Sequence, residues 1–176
     1  ARVGPRNFTF RSADDVIKTS DIPGSFLAVL SGHIHRHQVL ESNLQGKRLP
    51  APVLYPGSIE RTSFAEKDEH KGFLLLNLSR PDPDAPLKLG WAFQLLPARP
   101  MYSIKLGDKN MKTADIPGIV KAAITRLPSD SLVRIELPGH IPDSARSALF
   151  SFIKPCLSQD MHVRIGFSGQ VFSRRI

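Results

Sequence analysis

Phe26-Leu27-Ala28-Val29-Leu30-Ser31-Gly32-His33-Ile34-His35 is the stretch from which the fold is read. Its first five residues are a continuous apolar run between Gly24 and Gly32, the pattern of a short strand buried on both faces. Alternate side chains of extended backbone share a face, so His33 and His35 are expected to face one site at the carboxyl end of this strand. Neutral imidazole binds divalent transition metals well, and Gly32 lets the backbone pass close to an occupied site. His37 continues the spacing but falls on the following loop.

Outward from this stretch, Val53-Leu54-Tyr55, Gly72 to Leu78 and Trp91 to Leu96 read as three more strands, with loops at Asn43 to Pro50 and Arg80 to Pro86. Upstream, Ser12-Ala13-Asp14-Asp15 suits the cap of a short helix through Val16 and Ile17, ended by the Ile22-Pro23-Gly24 turn. From Met101 the pattern changes to strand (Met101 to Leu106), helix (Thr113 to Leu127), strand (Leu132 to Leu137), helix (Asp143 to Leu157) and strand (Met161 to Phe167). In the first helix Ile116, Ile119, Val120, Ala123, Ile124 and Leu127 fall on one stripe, and Ala145, Leu149, Phe152 and Ile153 do so in the second. Two prolines in Pro97-Ala98-Arg99-Pro100 stiffen the connection between the patterns. The expected class is α/β, with residues 1–97 as one part and 98–176 as a small α+β unit, two helices over a sheet.

Composition bounds the function. Apolar residues make up 41% and charged residues 23% of the 176, and no apolar run reaches the roughly 20 residues of a membrane span. One cysteine, Cys156, excludes an internal disulfide framework and any multi-cysteine zinc site. With no secretion leader recognisable at Ala1, a cytoplasmic, non-membrane protein is expected. Twenty-four Lys and Arg against sixteen Asp and Glu give +8 and a pI near 10.0, which suits a polyanionic partner. Lys105, Lys109, Lys112, Arg174 and Arg175 are the candidates for contact with a nucleic-acid backbone.

A second stretch narrows the reading. Tyr55-Pro56-Gly57-Ser58-Ile59-Glu60-Arg61-Thr62-Ser63-Phe64 is followed by Glu66-Lys67-Asp68-Glu69-His70-Lys71-Gly72-Phe73. A Pro-Gly-Ser turn beside a strand can aim backbone N–H groups and a hydroxyl at an oxyanion, and Arg61 can bind phosphate bidentately. The same turn also serves as a plain hairpin connection. Asp68-Glu69-His70 reads as a solvated turn.

Gly-His-Ile-His together with this second stretch resembles the calcineurin-like metallophosphoesterases, and more narrowly the SbcD-type DNA repair exonucleases. The resemblance is strongest from about Phe26 to Phe73 and looser beyond Pro97. It implies that residues 1–97 are the carboxyl-terminal part of a metallophosphoesterase β-sandwich and that 98–176 are a DNA-contacting capping domain. It implies that His33 and His35 are ligands in a two-manganese site, with magnesium as the other candidate metal. Gly57 and Ser58 would line its rim, and Arg61 would be structural or phosphate-facing. Metals of such a site sit about 3.5–4 Å apart, activate water and stabilise the leaving oxygen of an in-line attack on a phosphodiester. The implied partners are double-stranded DNA ends, an SbcC-type ATPase and a second copy in a homodimer.

The family's remaining ligands lie in carboxylate-bearing motifs earlier in the chain, and these have no convincing copy in the 176 residues. The missing segment is expected before Ala1. Two cations held close together repel without bridging carboxylates, so this chain alone is expected to be inactive. Its apolar strands would then present surface for another chain to cover. Two other readings stay open: a phosphoesterase acting on small phosphodiesters or phosphoproteins, and a non-catalytic DNA-binding or docking module.

Overall fold

Strand patterns dominate the first part of the chain in the computed structural model, which describes 2–3, 6–7, 17–43, 45–107 and 111–167. The chain divides into two units, Ala1–Ala98 and Arg99–Ile176. In the first, β1 (Arg2–Val3) pairs antiparallel with β2 (Arg6–Asn7). A three-stranded sheet has β5 (Arg48–Tyr55) at its centre, parallel to β3 (Val29–Leu30) and antiparallel to β4 (Gln38–Ser42). A third sheet is the antiparallel pair β6 (Lys71–Ser79) and β7 (Lys88–Leu96). The short helix expected around 12–17 lies almost wholly outside the described residues.

The strand expected over 26–30 shrinks to Val29–Leu30 and is not buried on both faces. Phe26 instead closes a turn by donating its N–H to the Pro23 carbonyl at 3.1 Å. Phe26 is 51% and Leu30 59% exposed. Burial on both faces needs a layer over each, and among the described residues β3 has only β5 beside it. The loop expected over 43–50 is also shorter, because β5 starts at Arg48 in spite of Pro50 and Pro52. Those prolines remove ladder donors, and the β4–β5 register shifts between Leu40 and Ser42, the stretch opposite them.

In the β6–β7 pair, Leu74, Leu76 and Leu78 lie opposite Phe93, Trp91 and Leu89 and share one face with Leu95. Leu78 and Leu95 on that face are 60% and 63% exposed. At the start of the ladder position 72 must be glycine, since a Cβ there would run into the Gln94 carbonyl.

The second unit alternates β8 (Met101–Lys105), α1 (Ile116–Ile124), β9 (Leu132–Leu137), α2 (Asp143–Ile153) and β10 (His162–Phe167). β9 is central and parallel to both neighbours, so this is a βαβαβ unit of the α/β kind, not the α+β unit expected. The helices are shorter than their apolar stripes. Thr113–Asp115 is a 3-10 turn, and α1 stops ahead of Leu127-Pro128; Pro155 falls in a 3-10 turn, Lys154–Cys156, that follows α2. Val120 and Ile124 of α1 and Leu149 and Ile153 of α2 pack with Val133, Ile135 and Leu137 in one core. Among the described residues no helix is long and apolar enough to cross a membrane.

Ile135 is fully buried at the centre of this sheet. Ile135→Ala is expected to cost about 2–5 kcal/mol through lost burial and a residual cavity, read as a lower urea midpoint with an unchanged m-value.

Candidate functional site

Two ladder residues cannot hold the segment that follows β3, and its shape is set by local bonds. Ser31 N–H donates to the Leu54 carbonyl at 3.0 Å, and Ile34 N–H reaches back to the Gly32 carbonyl at 2.8 Å. That bond closes a γ-turn with His33 at its centre, and His33 has φ 65°, the left-handed region that non-glycine residues avoid. The extended backbone expected for 31–35 therefore does not occur. Ile34 is buried and anchors the turn, while His33 and His35 on either side of it are exposed. Strain of this kind persists only where the surroundings over-determine it.

Those surroundings converge on His35. Its carbonyl accepts from Ser58 N–H at 3.0 Å and from Lys71 Nζ at 3.1 Å. Its ring Nδ1 lies 3.1 Å from Glu66 Oε1 and 3.2 Å from Thr62 Oγ1. His37 is placed differently: its Nδ1 lies 2.9 Å from the Tyr55 carbonyl, and its ring stacks on Phe93 at 4.1 Å. Packing accounts for His37.

Lys71 is the hub. Its side chain is fully buried, and the three N–H groups of Nζ are shared among four acceptors, Ser58 Oγ at 2.9 Å, Glu66 Oε2 at 2.8 Å, Glu69 Oε2 at 3.2 Å and the His35 carbonyl. Arg36 Nε donates to Glu69 Oε1 at 2.9 Å. Glu69 is buried, so the solvated turn expected at 68–70 holds for Asp68 and His70 but not for Glu69. Partial burial would raise the Glu66 carboxyl, but hydrogen bonds from Lys71, His35 and Thr62 outweigh it and hold the group at about 2.

The 56–61 turn packs on the same loop. Gly57 has φ 86°, and a Cβ on it would stand 2.8 Å from His37 N and 2.9 Å from His35 O, so glycine is needed for both conformation and approach. Ser58 Oγ accepts from Lys71 and donates to the Glu60 carbonyl at 2.7 Å. Arg61 donates Nε–H and Nη2–H to the Glu69 carbonyl at 3.2 and 3.0 Å. A nearby open cleft of about 320 Å³, lined by Arg36, His37, Asp68, Glu69, His70, Phe93 and Leu95, includes neither His33 nor His35.

Lys71, Glu66, Glu69, Arg36 and Thr62 are absent from the sequence-derived site. The available signal was Lys71 itself, a charge at the head of an apolar strand, with two glutamates two and five residues before it. In the second unit Lys105 lies 3.7 Å from Glu136 and is largely exposed, Lys112 is exposed ahead of α1, and Lys109, Arg174 and Arg175 lie outside the described residues. Among the described residues no three His, Cys, Asp or Glu side chains form a group able to hold a metal. His33 and His35 have donor chemistry suited to manganese, but the described residues alone do not complete a coordination shell. No family model matches the chain, and no curated protein matches it.

Lys71→Met leaves buried Glu69 and part-buried Glu66 facing an apolar side chain, and is expected to cost about 3–5 kcal/mol in urea unfolding. Glu66 supports a second test. Its folded pKa of about 2 lies below the ordinary 4.5, so its contribution is complete above pH 4.5 and is lost as pH falls from there to about 2. Glu66→Gln should lower stability at pH 7 and flatten the wild-type loss across that window.

Proposed function

We propose that this chain belongs to a manganese-dependent, SbcD-type DNA exo/endonuclease, contributing the last part of a metallophosphoesterase domain and a capping unit. What carries the proposal is the loop of His33 and His35: a strained turn presenting two exposed histidines, cross-braced by Ser58, Thr62, Glu66 and Lys71. These bracing residues come from the same Tyr-Pro-Gly-Ser to Lys-Gly-Phe stretch that carries the family resemblance. A loop that only joined two strands would need neither the strain nor a buried lysine.

In this reading His33 and His35 would each supply one ligand of a two-metal site. Bound there, manganese, or magnesium in its place, would supply an activated water and positive charge for the leaving oxygen. The chain's own residues hold the imidazoles in place and pack the turn against them. The basic unit adds contacts to the phosphates of duplex ends through Lys105 and Lys112, with Lys109, Arg174 and Arg175 as further candidates. Such contacts bind without reading sequence, as end processing requires. An SbcC-type ATPase and a second copy of the chain are the proposed partners, and the cytoplasm the proposed site of action.

The test is cleavage of linear duplex DNA by the gene product that carries this sequence. Mn2+-dependent cutting is expected, with His33→Ala and His35→Ala each lowering it by more than about 100-fold, since even residues behind metal ligands cost 10–100-fold. Hydrolysis of small phosphodiesters but not DNA would move the protein to the broader phosphoesterase class. Salt-sensitive DNA binding with no cutting would make it a binding module.

A further inference from the structure

We infer that Glu66 and Lys71 are positioning residues for His35: they fix its imidazole as the Nδ1–H tautomer and leave the Nε2 lone pair as its one ligand-competent atom. The protons around the ring decide this. Both Glu66 carboxyl oxygens act as acceptors, one from the Lys71 ammonium and one from the Thr62 hydroxyl. Oε2 is taken by Lys71 Nζ at 2.8 Å, and Oε1 receives the Thr62 hydroxyl at 2.9 Å and faces His35 Nδ1 at 3.1 Å. A hydroxyl has a single proton. With that proton on Glu66, Thr62 Oγ1 can offer only lone pairs to His35 Nδ1, 3.2 Å away.

Both polar groups next to Nδ1 are thus acceptors, so Nδ1 carries the hydrogen and Nε2 of the neutral ring does not. Free histidine in water favours the opposite tautomer. The preference here is imposed by the site, in the manner of a carboxylate behind a metal-bound histidine.

Lys71 adds what a carboxylate alone could not. One ammonium bonds the main-chain carbonyl of His35 at 3.1 Å and the carboxylate that accepts from its ring. Backbone and side chain of the same residue are therefore referred to a single fixed cation. The His35 side chain remains 48% exposed, and the contacts made by its ring are at Nδ1. His37 also has an acceptor at Nδ1, but its ring is stacked on Phe93 and only part-exposed.

The purpose assigned to this arrangement rests on the metal reading above, whereas the tautomer does not, and the experiment separates the two. Long-range 1H–15N spectra of the metal-free 176-residue chain, recorded with His35 neutral and assigned through His35→Ala, should show a protonated Nδ1 and an unprotonated Nε2. Glu66→Gln should return the ring toward the mixture of free histidine, and in the gene product should weaken Mn2+ binding by about 10–100-fold. Thr62→Val, at an exposed position, should alter the tautomer less than Glu66→Gln does. A protonated Nε2 in the wild-type chain overturns the inference even if Mn2+ binds and even if Glu66→Gln does not fold. A protonated Nδ1 that Glu66→Gln releases upholds the positioning role even if Mn2+ never binds, an outcome that would sink the metal reading alone.

Discussion

A buried ammonium is the constraint on which the amino-terminal unit turns. Taking Lys71 out of water costs several kcal/mol unless its protons and charge are met, and here four oxygens meet them, two of them from carboxylates. Those oxygens belong to four separate pieces of chain: the histidine loop, the Pro-Gly-Ser turn, the 3-10 turn Phe64–Glu66 and the residues leading into β6. None has a ladder long enough to fix it. The lysine does for them what a hydrophobic core does for regular elements.

The two units are stabilised in different ways. Above Arg99 a contiguous core of Ile, Leu and Val side chains fills the space between a parallel sheet and its helices. Below it the buried apolar residues among those described are Ile22, Ile34, Ala51 and Leu54, accompanied by buried Lys71 and Glu69. So small a core offsets little conformational entropy. The apolar face of β6 and β7 contributes less than its sequence suggests, because Leu78 and Leu95 stay largely in contact with water. Polar bonds of defined direction therefore carry a larger share of the shape, and they are concentrated behind His35.

Regular elements were legible where periodicity is strong. The strand at Leu132–Leu137 has the bounds its pattern implies, and of the stripe expected from Ile116 to Leu127 the residues Ile116, Val120 and Ile124 are buried while Ile119 is 43% exposed. The alternation of strand and helix after Met101 also contained the parallel direction, since crossover helices demand it. Other features left weaker traces. β4 carries Gln38, Glu41 and Ser42 and resembles a loop in composition, and the prolines of β5 argue against the strand they occupy. The γ-turn at His33 has no compositional signature, because the usual marker of positive φ is glycine. Lys71 was hidden by its own chemistry, since a lysine is expected at the surface until its partners are placed around it.

That the supports of His35 are ionic has a physical logic of its own. Apolar side chains could fill the same volume and often stabilise a fold as well as or better than a buried ion pair. They would bound the imidazole by shape alone, and shape does not distinguish its two tautomers, which have the same outline. Only an acceptor at Nδ1 does that, and the acceptor must itself be held in its ionised form and in one place. Glu66 meets the first demand and Lys71 the second, while the bond from Lys71 to the His35 carbonyl ties the result to the strained turn beside it. Stability could have been reached more simply; the direction of one lone pair could not.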